Sequence, residues 1–215
     1  MFKQFKLNFL SIKYMFDKIR NYFSHGSKRI ENLPIGAKFD AIISEEAYQK
    51  SPKKEIQGYK LIGSERDKVA YQNPTTGEIK IGIAGTNRVS DLIPDIAGFF
   101  GQVKRTDRYK SAKDFVERIE KQSNKKASLS GHSLGGHLVH ELSKEGDRKA
   151  SSFNPLLTPF AQTGENKNIE TYISSNDPVS SFLGRFRNPE TTHFFKTSLG
   201  DGVREHGIKT FAGNN

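Results

Sequence analysis

Residues 131–136 read Gly-His-Ser-Leu-Gly-Gly, a G-x-S-x-G hexad that sets one hydroxyl between two glycines. A serine is a weak nucleophile at neutral pH and becomes a useful one when it is held within reach of a base. The strand-like stretch Lys126–Ser130 precedes the hexad and the helix-like stretch Leu134–Lys144 follows it, which predicts a sharp strand-to-helix turn at Ser133. The glycines fit that turn, because a serine so perched has a strained backbone and side chains at 131 and 135 would collide with neighbouring backbone. The first amides of the helix, that of Leu134 among them, then point at the oxygen of a reacting carbonyl. The chemistry this predicts is acyl transfer through Ser133.

Such a serine needs a histidine to take its proton and a carboxylate to orient that histidine. In strand–elbow–helix enzymes the acid and then the histidine follow the serine along the chain. Asp177 lies in Ser175-Asn176-Asp177-Pro178-Val179, just past a strand-like segment. The C-terminal ends of strands are where open α/β sheets place active groups. Asp201, in the turn-like Leu199-Gly200-Asp201-Gly202, is the competing acid. Two histidines follow Asp177. His206 comes after a glycine-containing loop and before the helix-like Gly207–Phe211, from where it can swing over the elbow, so it is the predicted base. His193, in the alternating, strand-like Thr191–Phe195, is the alternative. His132 projects differently from its neighbour Ser133 and makes a poor base. A second oxyanion donor is offered by Ile81-Gly82-Ile83-Ala84-Gly85-Thr86, a strand ending at the amide and hydroxyl of Thr86, unless this is an ordinary strand end. His137 and His140 share a helix face near Glu141, but the spacing is not H-E-x-x-H and a third ligand is lacking. No metal and no cofactor are expected.

The elements that must position these residues follow from periodicity. Asp40–Lys50 is predicted helical, with Pro52 closing it. Tyr59–Ser64 and Lys68–Gln72 alternate as strands, and Asn73-Pro74-Thr75-Thr76-Gly77 makes a turn into the strand Glu78–Ala84. Beyond lie a helix over about residues 106–122, the strand and helix around the hexad, and strands over Lys149–Phe153 and Asn168–Ser174. An antiparallel entry followed by alternating strands and helices predicts a mostly parallel α/β sheet covered by helices on both faces. His25–Pro34, rich in small and polar residues, reads as a linker, so residues 1–32 form an appended segment and residues 33–215 the globular domain.

The 215 residues contain no cysteine, which excludes disulfides, thiolate metal sites and a cysteine nucleophile. Of the net charge of +10, residues 1–30 carry +6, seven cations against the single Asp17, and the other 185 residues carry +4. This asymmetry argues against a nucleic-acid surface on the globular part. Phe2, Phe5, Phe9, Ile12, Phe16, Ile19 and Phe23 recur at steps of three and four, an amphipathic basic helix. Through residues 2–23 it suits an anionic membrane surface, or equally a packing partner within the domain or on a second copy. Lysines interrupt every apolar stretch there, so no secretory signal peptide or membrane span is read, and a cytoplasmic or peripheral-membrane location is expected, with export by another route left open.

Together these motifs resemble the class 3, fungal-lipase-like family of α/β-hydrolases. The resemblance rests on the hexad, on Gly85-Thr86 followed by Asp91 and Asp95, on Asn176-Asp177-Pro178-Val179, and on the opening-helix segment Ser44-Glu45-Glu46-Ala47-Tyr48, and it covers about residues 35–212. It implies an α/β-hydrolase fold, a triad of Ser133, Asp177 and His206, an oxyanion hole from Thr86 and Leu134, and hydrolysis of carboxylic esters of lipids. It further implies a lid or acyl-pocket rim around Ile93–Phe100. Departures from the family pattern are Asn87 and Arg88 after the Gly-Thr, Pro94 within the lid segment, His137, and a short run between Asp177 and His206. Thioester or amide cleavage, acyl transfer, or a binding role without turnover remain alternatives on the same scaffold.

Overall fold

In the computed structural model, the residues described are 28–86, 103–156, 166–177, 180, 190–196 and 207–213. Among them nine strands form one sheet in the order β1-β9-β8-β7-β6-β5-β4-β3-β2. β2 (Glu55–Ile56), β3 (Tyr59–Glu65), β4 (Lys68–Gln72) and β5 (Ile79–Ile83) pair antiparallel in succession. The turn between β4 and β5 is closed by Asn73, whose side-chain oxygen accepts from the amides of Thr75 and Thr76. From β5 onward, β6 (Ser128–His132), β7 (Ala150–Phe153), β8 (Ile169–Ser174) and β9 (Thr192–Lys196) are parallel, and β1 (Lys28–Arg29) pairs parallel to β9 at the far edge.

Two apolar layers flank this sheet. On one face α1 (Ile35–Glu46) lies across β5, β6 and β7, burying Phe39, Ile42 and Ile43 with Tyr71, Phe153 and Tyr172. The short α4 (Lys209–Ala212) packs beside α1, and its Phe211 ring lies 5.3 Å from that of Phe153. On the other face α2 (Asp107–Ser123) and α3 (Leu134–Gly146) cover Ile79, Ile81, Ile83 and Leu129, which meet Phe115, Val116, Leu138 and Leu142. The isoleucines of β5 alternate because a strand turns successive side chains to opposite faces. Lys80, between them, faces α1, where its ammonium meets Asp40 at 2.9 Å while Ser151 of β7 donates to the other Asp40 oxygen at 2.6 Å. Burial opposes the Lys80 charge, but the carboxylates of Asp40 and Glu78 together outweigh it and raise its pKa.

A mostly parallel sheet with an antiparallel hairpin entry and helices on both faces is an α/β-hydrolase fold, as the order of elements predicts. One boundary differs from expectation. α1 spans Ile35–Glu46 in place of Asp40–Lys50, because Ala37, Phe39 and Ala41 already continue its buried face and Pro34 sets the backbone just ahead of the first turn. The stretch read as a linker contributes Lys28–Arg29 to the sheet edge.

Candidate active site

The turn out of β6 produces the predicted elbow. Ser133 has φ 55° and ψ −120°, a strained combination for a residue with a side chain, and it caps α3. Hydrogen bonds over-determine this conformation. The Ser133 amide donates to the Phe153 carbonyl at 3.0 Å, and the Ser133 carbonyl accepts from the amides of His137 at 3.2 Å and Leu156 at 3.0 Å. The flanking glycines are required by close approach. A Cβ at Gly135 would lie 2.6 Å from the Ala84 carbonyl oxygen and closer still to that of Ile83, and one at Gly131 would run into the Gly135 backbone. α3 thus starts in direct contact with the end of β5, and the Leu134 amide, first in that helix, has no acceptor within it.

The end of β5 supplies the other wall. A Cβ on Gly85 would lie 2.8 Å from the Cβ of Ser133, so the Gly85–Thr86 backbone passes beside the serine. The Gly85 amide donates to the Tyr48 hydroxyl at 2.6 Å, and the same hydroxyl shares a hydrogen bond with Nδ1 of His132, 2.7 Å away. Burial pushes the Tyr48 phenol well above its usual pKa, against the smaller opposing effects of the Gly85 amide and the Arg108 charge, so it remains a donor. Arg108, in the first turn of α2, donates to the carbonyls of Ala84 at 2.7 Å and Gly85 at 2.9 Å. Asp67, in the β3–β4 turn, pairs with the same guanidinium at 3.2 Å.

Asp177 is fully buried just past β8; its amide donates to the Ser174 carbonyl at 3.0 Å and its Oδ2 accepts from the Ser180 amide at 3.2 Å. The last residue of β8 is tied to the residue just after β7, Asn154, whose side-chain oxygen accepts from the Ser174 amide at 2.8 Å. β7 alone separates the strands that carry Ser133 and Asp177, so two strand spacings, about 10 Å, lie between them. His193 stands on β9 opposite Tyr172, stacked on that ring at 5.4 Å, and its Nε2 lies 2.6 Å from the Glu170 carboxylate. His206, Asp201 and the segment 87–102, with its expected lid, lie outside the described residues, as do residues 2–23. Ser133, Leu134, Thr86 and Asp177 are therefore ranged along one rim of the sheet, and His193 is engaged elsewhere.

His137 and His140 have their own partners. Nδ1 of the buried His137 meets the Leu156 carbonyl at 2.9 Å, and Nε2 of His140 meets the Thr171 hydroxyl at 3.2 Å. Among the described residues no group of three metal-binding side chains comes together. Nor, among them, is any helix long and apolar enough to cross a membrane. Tyr48, Arg108 and Asn154 are contributors that the sequence reading did not assign. Tyr48 alone had a local signal, as part of the opening-helix segment.

No protein-family profile matches the chain, and no curated protein does. Among solved structures the chain is similar to the Rhizomucor miehei lipase in its propeptide complex, with a TM-score of 0.48 and 14% identity over 67% of this chain. It spans 61% of that lipase chain. It is also similar to the Lip2 lipase from Yarrowia lipolytica, with a TM-score of 0.44 and 13% identity over 66% of this chain and 72% of that one. A mutant form of MDLA from Penicillium cyclopium gives 0.43 and 14% over 78% and 74%. The fold assignment itself rests on strand order and helix placement.

Proposed function

We propose that the protein is a serine hydrolase that cleaves carboxylic esters of lipids through an acyl-enzyme. The observation that carries this reading is the backbone of Ser133, held at φ 55° on a strand-to-helix turn beside Gly85–Thr86. Strain of this kind costs roughly 1–3 kcal/mol and persists where the surroundings enforce it, commonly at reactive positions.

In the proposed reaction Ser133 Oγ attacks the ester carbonyl carbon while His206 takes the hydroxyl proton, and the oxyanion is held by the amides of Leu134 and Thr86. Collapse expels the alcohol, which carries away the proton from His206. Water, deprotonated by the same histidine, then releases the acid and restores Ser133. The gap of about 10 Å between the strands bearing Ser133 and Asp177 suits one imidazole with a hydrogen bond at each end, the role assigned to His206. His193 is the weaker choice because Glu170 occupies its Nε2. The basic, phenylalanine-rich stripe at residues 2–23 makes esters presented at an anionic lipid surface, phospholipids above all, the favoured substrates.

The test is fluorophosphonate labelling of the full chain, with hydrolysis of a panel of p-nitrophenyl esters and phospholipid vesicles. Ser133-dependent labelling and turnover, both abolished in Ser133→Ala, are expected. A wild-type protein that labels no faster than Ser133→Ala and hydrolyses none of the panel refutes the proposal. Faster turnover of thioesters or amides than of esters would replace the substrate class.

A further inference from the structure

We infer that Arg108 is a positioning residue which, with Tyr48, fixes the peptide between Gly85 and Thr86 so that the Thr86 amide faces the oxyanion formed at Ser133; this rests on the hydrolase reading above. The inference comes from how completely this short stretch of backbone is held. Gly85 has its amide bonded to the Tyr48 hydroxyl and its carbonyl bonded to Arg108, and the carbonyl before it, that of Ala84, is bonded to the same guanidinium nitrogen. In a trans peptide the C=O and the following N–H point in opposite directions. Drawing the Gly85 carbonyl toward Arg108 therefore turns the Thr86 amide away from Arg108. No cis peptide occurs among the described residues to reverse that geometry.

The placement of Arg108 supports a role outside its own helix. It is the second residue of α2, where the helix dipole disfavours a cation. Its contacts run to the Ala84–Gly85 strand end and to Asp67, which also accepts the Ala84 amide through its backbone carbonyl at 2.9 Å. The β3–β4 turn, the start of α2 and the end of β5 are thereby locked together. A planar guanidinium can hold two carbonyls and a carboxylate at once, which a lysine ammonium does less well. Arg108 touches no reacting atom in this scheme and acts through the orientation of Thr86.

The experiment compares Arg108→Gln, Arg108→Lys and Tyr48→Phe with wild type and with Arg118→Gln, a control on the exposed face of α2. It reads kcat and KM on a soluble short-chain p-nitrophenyl ester, inhibition by a phenylboronic acid that forms a tetrahedral adduct on serine, and the folded fraction by circular dichroism. Loss of an oxyanion donor costs about a hundredfold to a thousandfold, so misaligning one donor is expected to lower kcat about tenfold to a hundredfold in Arg108→Gln. KM should stay within about twofold, and boronate affinity should fall in parallel with kcat/KM. Arg108→Lys should lie between wild type and Arg108→Gln, and Tyr48→Phe should show the same pattern of effects. Arg108→Gln that keeps wild-type kcat and boronate affinity overturns the inference, as does a loss confined to KM or matched by the unfolded fraction. If Arg108→Gln does not fold, Tyr48→Phe decides by the same readouts. A wild type without Ser133-dependent turnover sinks the hydrolase reading and this inference with it, whereas a turning-over wild type with unaffected variants sinks this inference alone.

Discussion

Gly135→Ala puts one methyl group into the tightest contact of the elbow. On sequence grounds alone the change should help, since alanine in a helix is favoured over glycine by up to about 1 kcal/mol. Here the new carbon would sit 2.6 Å from the Ala84 carbonyl oxygen and closer still to that of Ile83, where Cβ atoms essentially never come under 3.0 Å. Both obstacles are backbone, so no side-chain rotation relieves them, and α3 must draw back from β5. Overpacking costs about 1–3 kcal/mol, and with backbone on one side the upper end applies. Less the helix-propensity gain, the net loss is about 2 kcal/mol, or about 4–8 °C in Tm for a domain of this size. The same retreat moves Ser133 and Leu134 relative to Thr86. A displacement near 1 Å at a reacting centre costs up to about a hundredfold. Scanning calorimetry and the fluorophosphonate labelling rate measure both effects. Gly36→Ala is the internal control. A Cβ there meets nothing within 4 Å, so the same substitution should stabilise, by about 0.4–1 kcal/mol. A Gly135→Ala protein as stable as wild type and labelled at the wild-type rate would refute the claim that this contact sets the elbow.

Two further outcomes concern stability. Arg148 and Glu120 form a largely buried two-pronged pair, both contacts at 2.8 Å, which joins α2 to the loop after α3. Burial raises the Glu120 pKa, but Arg148 and the Ala127 amide, with a smaller pull from Lys126, together turn the net shift downward. Glu120→Gln leaves the guanidinium without its counter-charge and should cost about 3–5 kcal/mol in urea unfolding; a loss under about 1 kcal/mol would contradict the buried-pair argument. Burial also lowers the pKa of His137 below its ordinary 6.5, against the smaller opposing pull of the Leu156 carbonyl. Below pH 6.5 the unfolded chain then binds a proton that the folded one refuses, so stability falls as pH drops below 6.5, at up to about 1.4 kcal/mol per pH unit. His137→Gln should show a shallower slope there, and identical slopes would refute the assignment.

The elbow was legible because its constraints are local: two glycines, a hydroxyl and the periodicities on either side lie within one short window. The β4–β5 hairpin was legible for the same reason, through Asn73 and Gly77. The start of α1 was not, since composition around Gly36 reads as loop until the packing of Ala37 and Phe39 is known. Nor were the supports of the site. Tyr48 reaches His132 across 84 residues, Arg108 reaches Gly85 across 23, and neither pairing leaves a periodic trace. Lys28–Arg29 shows no alternation, and only its alignment with Phe195 and Lys196 makes it a strand. The strand expected around His193 is present, while its Glu170 partner on the neighbouring strand could not be foreseen from spacing.

Because β5 through β9 all run the same way, the two borders of the sheet have unequal duties. The border holding Ala84–Thr86, Ser133 and Asp177 is crowded with backbone that leaves little latitude for substitution. The opposite border, where Lys126, Lys149 and Asn168 enter the strands, carries none of these groups. Fluorophores, affinity handles or surface tethers belong there, where immobilisation would leave the working border turned outward to whatever is presented to it.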